Sequence, residues 1–353
     1  MSYAHEIPNR IFTNPYPVEL NNSHPTPAQV QTIPLFAALD EPELEQISTG
    51  LVCMSLEVNE YLCRQGMDAD SAYFVDSGIL NVMNALPGGG EVHLAKRRPG
   101  SMLGETCLVS KGVRTASVRA ETAVTGFIMD HRFFQGALAQ ANSSAAKILN
   151  QLIRILCDRL ITQYERIITM EPECTSWVAC RNAPGFELDF DTAATTCSFP
   201  YQNYLPQMEF FSGFQSEEIR SLESMAHCYD VPRGTLLFEK DDDPVSCFFV
   251  IRGALESCCA KDNEHISLAV LGPGTFLGTT EIISERQRVA CGRVREDATV
   301  FEIEASTLHE LLMLEPALAQ KFQLALGKSL IVDLGKINKR VARATSQKSV
   351  NID

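Results

Sequence analysis

Pro99-Gly100-Ser101-Met102-Leu103-Gly104-Glu105-Thr106 is followed, ten residues beyond Gly104, by Arg114-Thr115-Ala116-Ser117. The same order returns as Pro273-Gly274-Thr275-Phe276-Leu277-Gly278-Thr279-Thr280, with Arg288-Val289-Ala290-Cys291 at the same step from Gly278. Upstream of each lies a matching apolar stretch, Tyr73-Phe74-Val75-Asp76-Ser77-Gly78 and Phe248-Phe249-Val250-Ile251-Arg252-Gly253. Three matches in one order at nearly constant offset point to an internal duplication.

Around each copy the pattern has the same outline. Asp40-Glu41-Pro42-Glu43 reads as a helix start with acids in its first turn. From Leu51 to Met129 short apolar stretches alternate with turn signals, the pattern of a β-sandwich or barrel. Leu149, Leu152, Leu156, Leu160 and Ile167 then form one helical stripe. In the second copy Phe210-Phe211 and a helix at Ser216–Ala226 lead into strands from Val231 to Ile303. A last helix carries Leu318, Phe322, Leu326, Leu330, Ile337 and Val341, weakened by Gly327 and Gly335. The expected division is an extended Pro-rich arm at 1–33, a first domain at 34–167, a connection at 168–206, a second domain at 207–345 and a tail at 346–353.

Composition narrows the function classes. A length of 353 residues favours two domains, and 45% hydrophobic content suffices for two cores. The net charge of -14 repels phosphate backbones and anionic membranes, so DNA and membrane are not expected partners. No apolar run is long enough to span a bilayer, and the start lacks a secretory pattern, so the expected location is the cytoplasm. Most of the twelve cysteines are then expected to be reduced. Cys174, Cys180 and Cys197 share one stretch, but without zinc spacing or a nearby His. No metal and no cofactor are expected.

The Gly104-Glu105-Thr106-Cys107-Leu108 and Arg114-Thr115-Ala116-Ser117 segments resemble the phosphate-binding signature of the cyclic nucleotide-binding domain family. That family includes the bacterial catabolite activator protein and the regulatory subunits of cyclic-nucleotide-dependent kinases. The resemblance covers 35–166 well and 207–345 in outline. It implies an α+β fold with two β-barrel or jelly-roll cyclic-nucleotide-binding domains, each flanked by helices. It also implies that Arg114 takes the cyclic phosphate of cAMP or cGMP, since a guanidinium supplies charge-assisted, directional hydrogen bonds. Glu105 would accept from the ribose 2'-hydroxyl, and Leu103, Gly104, Thr106 and Thr115 would complete the cradle. A residue of the following helix often caps the base in this family, and Gln163 and Tyr164 are the candidates. Taken alone, Glu105 and Arg114 also suit a structural ion pair; the upstream Pro-Gly and the repeat favour the pocket.

The second copy departs where it matters. Arg288 remains with Gly278 and Thr280, but Thr279 stands in place of Glu105, and Asp241 replaces the turn glycine Gly66. Loss of the ribose acceptor leaves a degenerate pocket, with Glu281 near enough to matter and of unknown direction. The chain lacks a recognisable recognition helix, a basic kinase-inhibitory segment in its arm, and any nucleophile elbow, Walker loop or clustered His. Lys96-Arg97-Arg98 and Lys336, Lys339, Arg340 and Arg343 read as solvated faces, the second set being the better candidate for a protein contact. The expected function is therefore a non-catalytic receptor that signals to a protein effector. A ligand-independent scaffold with both pockets inactive is the alternative. Homodimerisation through the helix at 145–167 is also expected to be possible.

Overall fold

The computed structural model describes residues 19–21, 23–85, 91–140, 142–170, 188–261, 264–313 and 316–350. Cys174, Cys180, most of the arm and part of the connection lie outside these residues. The chain divides into two compact units between Gln151 and Leu152. The division falls inside the long helix Ser143–Met170, upstream of the expected boundary at 167.

The first unit faces two antiparallel sheets against each other. One runs in the order Glu19–Asn21, Leu51–Leu56, Val124–Asp130, Ser71–Ser77, Met102–Leu103. The other runs Tyr61–Cys63, Ser117–Ala120, Leu80–Ala85, Glu91–Arg97. Met54, Leu62, Val75, Leu80, Val118 and Ile128 pack together between them. The helix Glu41–Ser48 starts as expected: Asp40 and Glu43 form a reciprocal capping box, which satisfies two backbone donors. The expected arm needs correction for its last residues. Pro27–Gln31 is a capped helix, and Val30 and Ile33 are buried, because Thr26 and Pro27 are helix-starting residues.

In the second unit the long strands Ser246–Lys261 and Cys291–Glu304 pair along most of their length. Register shifts between Val250 and Leu255 bend the first of them, as β-bulges do. This joins what would be two sheets into one of eight strands around Val231, Phe248, Val250, Leu255, Leu271, Val294 and Val300. The described part of the connection has structure of its own. Leu188–Asp189 and Thr195–Thr196 each add an edge to this sheet.

The last helix, Pro316–Val350, continues through Gly327 and Gly335, with Phe322, Leu326, Leu330, Ile337 and Val341 buried. Packing of its apolar stripe outweighs the low helix propensity of glycine. The stripe at Leu149, Leu152, Leu156, Leu160 and Ile167 is likewise buried within a single chain, at 2% exposure or less. The stripe thus packs within its own chain.

Leu156→Ala is expected to lower the unfolding free energy by about 3 kcal/mol, read as a shift of the urea midpoint at constant slope. A loss below about 1 kcal/mol would place that stripe in solvent instead.

Candidate functional site

Each Arg-bearing loop is clamped by the same pair of backbone hydrogen bonds. Gly66 N–H donates to Arg114 C=O at 2.8 Å, and Arg114 N–H donates to Met67 C=O at 2.6 Å. In the second unit Asp241 N–H donates to Arg288 C=O at 2.8 Å, and Arg288 N–H to Asp242 C=O at 2.9 Å. Gly66 has φ 86° and Asp241 has φ 70°. Asp is one of the few L-residues that tolerate this left-handed geometry, so the turn survives the loss of its glycine.

The two guanidiniums share the same seat and differ in their partners. Gly104 and Gly278 both have positive φ, and a Cβ on either would collide with Nη1 of Arg114 or Arg288. Each guanidinium thus packs against a glycine just before a short helix, Gly104 ahead of Glu105 and Thr106–Val109, Gly278 as the cap of Thr279–Ile283. Arg114 Nη2 donates to Ser71 Oγ at 3.2 Å and Tyr73 Oη at 3.0 Å, with Asp70 Oδ1 at 3.9 Å. Its charge also sits 4.7 Å from the Tyr73 ring centroid. Burial pushes the Tyr73 hydroxyl up, which keeps it a neutral acceptor. Arg114 Nη1 is buried and has no hydrogen-bond partner among the described residues. A buried cationic donor without a partner carries a large desolvation penalty, and an anion beside Gly104 would remove it.

Arg288 differs in which nitrogen is left over: both its Nη atoms have partners, and its buried Nε has none among the described residues. Nη1 donates to Gly278 C=O at 2.6 Å, Nη2 donates to Ser246 C=O, and the Glu281 carboxylate lies 3.7 Å from Nη1. Thr280 Oγ1 donates to that carboxylate at 2.8 Å, and both Glu281 and Arg288 are buried. Burial pushes the Arg288 pKa down, with Glu281 opposing. Beneath the guanidinium the Phe238 ring stands 4.0 Å away. Phe238 pairs across the sheet with Gly292, where the first unit pairs Cys63 with Val118. A small residue has grown into a ring, and its neighbour has shrunk to make room. Phe248 likewise stands in the position of Tyr73 and offers no hydroxyl.

The other expected site residues fall as follows. Glu105 is buried at the head of its helix, Leu103 is buried, Thr106 is half-buried and Thr115 is exposed. Cys107 beside them is closed off, its thiol pushed up to about 12 by burial. Thr279 is buried. Gln163 is half-buried, and Tyr164 lines a cavity of the second unit together with Phe238, Gly278, Thr280, Glu281 and Asp333. Burial and Asp333 push the Tyr164 hydroxyl up. Among the basic runs, Lys96 pairs with Glu121 at 2.6 Å, Lys336 with Asp333 at 2.9 Å, and Arg340 donates to Leu268 C=O at 2.7 Å. Sequence reasoning missed Ser71 and Tyr73 as partners of Arg114 and Phe238 as an occupant of the second seat, and it named Glu281 without its direction, which the structure turns toward Arg288. The one available signal was the change from Tyr73 to Phe248 at a matched position.

Facing β-sheets, a short helix that follows a glycine of positive φ, and a buried arginine against that glycine define a class: a β-roll with a guanidinium held at a helix start. A sequence profile described as the cyclic nucleotide-binding domain matches residues 53–141 and 230–315. The chain belongs to that family, with two such domains in tandem. The human potassium/sodium hyperpolarization-activated cyclic nucleotide-gated channel 4 is 37% identical over 93 residues, covering 26% of this chain and 7% of the channel. The Drosophila melanogaster cAMP-dependent protein kinase type II regulatory subunit is 19% identical over 262 residues, covering 74% of this chain and 54% of the subunit. The chain thus spans about half of that subunit and under a tenth of the channel. Among solved structures, the regulatory domain of Toxoplasma gondii PKA with cAMP is 17% identical at a TM-score of 0.30, covering 84% of this chain and 92% of that one.

The two arginines should differ in what they do for stability. Arg288→Ala leaves Glu281 buried without its counter-charge and is expected to lower unfolding free energy by about 3–5 kcal/mol. Arg114→Ala removes the bonds to Ser71 and Tyr73 but also relieves the unpartnered Nη1, and is expected to cost less, about 1–2 kcal/mol. Urea denaturation of both variants measures the difference; equal losses would mean that the two seats are equally self-satisfied.

Proposed function

We propose that the chain is a non-catalytic cyclic-nucleotide receptor in which the first domain takes the ligand and the second has exchanged its phosphate for internal partners. The supporting observation is the contrast in hydrogen bonding: Arg114 Nη1 is buried with no partner among the described residues, whereas both Nη atoms of Arg288 are taken by carbonyls and Glu281 stands opposite. A cyclic phosphate carries one negative charge and several acceptor oxygens. Seated beside Gly104, it would neutralise Arg114 and accept from Nη1 and from the backbone N–H groups that begin Thr106–Val109. Glu105, carried at the head of that helix, is the group to accept from the ribose hydroxyl. The names of the two sequence relatives tie the matched segments to cyclic nucleotides, cAMP in one case. In the second unit an incoming phosphate would have to displace Glu281 and two carbonyls, and would meet Phe238.

Signalling would use the long helix. Ser143–Met170 is a single helix that starts among residues of the first unit, where Lys147 pairs with Glu43 at 2.8 Å, and continues past Gln151 among residues of the second. A ligand that tightens the Gly104–Arg114 segment shifts the balance between two positions of that helix by its difference in affinity for them, and by no more. The output surface would be read by a protein effector.

Calorimetry of the full chain with cAMP and with cGMP tests the reading. One site per chain is expected for the favoured nucleotide. Arg114→Ala is expected to weaken it at least about 100-fold, the value of two or more charge-assisted hydrogen bonds. Two equivalent sites, or undiminished binding by Arg114→Ala, would contradict it.

A further inference from the structure

Residues 188–204 form a strap on the second barrel. Leu188–Asp189 runs parallel to Thr235–Phe238, and Thr195–Thr196 runs antiparallel to His227–Val231. Phe190 packs edge-on against Tyr229 at 5.4 Å and Phe248 at 5.2 Å. The antiparallel register pairs Thr195 with Asp230 and Thr196 with Tyr229. It continues one step further: Cys197 N–H donates to Cys228 C=O at 3.2 Å, so Cys197 and Cys228 lie directly opposite. Side chains at such positions leave the same face with Cβ atoms about 4.5–5.5 Å apart, within reach of a disulfide after slight adjustment. The Cys197 thiol donates to Phe199 C=O at 3.4 Å. Asp230 holds the register, accepting from Ser198 N and Oγ at 2.8 Å each and from Thr299 Oγ1 at 2.7 Å. Both sulfurs belong to free, half-buried cysteines that line a surface cavity with Ser198, Tyr201 and His227.

We propose that Cys197 and Cys228 are a modification site, a reversible cross-strand disulfide formed by a hydroperoxide-class oxidant and fastening the strap to the barrel. The thiolate of one cysteine attacks the hydroperoxide, breaking the O–O bond and forming a sulfenic acid; an alcohol or water leaves. The second thiol attacks the sulfenyl sulfur, the S–O bond breaks, and water leaves with the released proton. In sum two thiols and one hydroperoxide give one disulfide, one alcohol and one water. Burial and then Cys197 push the Cys228 thiol up, which disfavours it as the first attacker. Cys63, Cys107, Cys157, Cys247, Cys258 and Cys259 are buried and lack this access. The strap's parallel edge lies on the strand that carries Phe238 under Arg288, so the bond would stiffen the wall of the second seat.

The test uses the full-length native protein, hydrogen peroxide, and mass spectrometry of non-reduced tryptic peptides. Cys197 lies in peptide 182–220 and Cys228 in peptide 221–233. The expected product is these two peptides joined with loss of two hydrogens, reversed by dithiothreitol and absent in Cys197→Ser and in Cys228→Ser. Oxidation is also expected to raise the unfolding midpoint of the wild type by about 5 °C, and not that of either variant. Both thiols remaining free in excess peroxide, or either sulfur joined to a different cysteine, would overturn the proposal.

Discussion

A buried guanidinium with one donor facing no acceptor is the constraint around which the first unit is arranged. Arg114 is held from three sides: its backbone is clamped between Gly66 and Met67, its Nη2 is anchored on Ser71 and Tyr73, and its flat face rests against Gly104. Each hold aims Nη1 at the same small volume beside the helix Thr106–Val109. Neutral hydroxyls fix the side chain without cancelling its charge. Among the described residues the carboxylate paired with it is that of the half-exposed Asp70, on the Nη2 side and at the limit of an ion pair. The charge is thus desolvated without a close counter-charge among the described residues.

The second unit shows what happens when that constraint is relaxed without losing the fold. The turn, the clamp and the glycine against the guanidinium all persist. What changed is the set of groups that answer the charge: Phe248 in the place of Tyr73, carbonyls of Gly278 and Ser246 on the guanidinium, and Glu281 opposite. The exchange of a Cys63–Val118 pair for Phe238–Gly292 keeps the volume nearly constant, and volume-conserving swaps are the ones a core tolerates. The result is a seat in which the guanidinium charge is answered by groups of the chain itself.

Much of this could be read from the residues. The duplication, the α+β architecture and the family followed from glycine, arginine and Pro-Gly at fixed spacing, because turns with positive φ and buried charges leave few residue choices. The helix stripes were legible for the same reason, as at Leu149–Leu160. Partners that meet across strands were not. Nothing local joins Tyr73 to Arg114, or Phe238 to Gly292, and the direction of Glu281 depends on how its helix sits on the sheet. The folding of 23–33 and 188–204 onto the barrels was also hidden. Proline-containing segments read as arms or links until an edge strand is found to receive them.

The most direct measurement is a crystal structure of the full chain grown with a cyclic nucleotide. A phosphate accepting from Arg114 Nη1 and the amides after Gly104 is expected, with Arg288 still bonded to Gly278 and Ser246. Nucleotide seated over Arg288, with Arg114 bare or turned away, would contradict the reading of both seats.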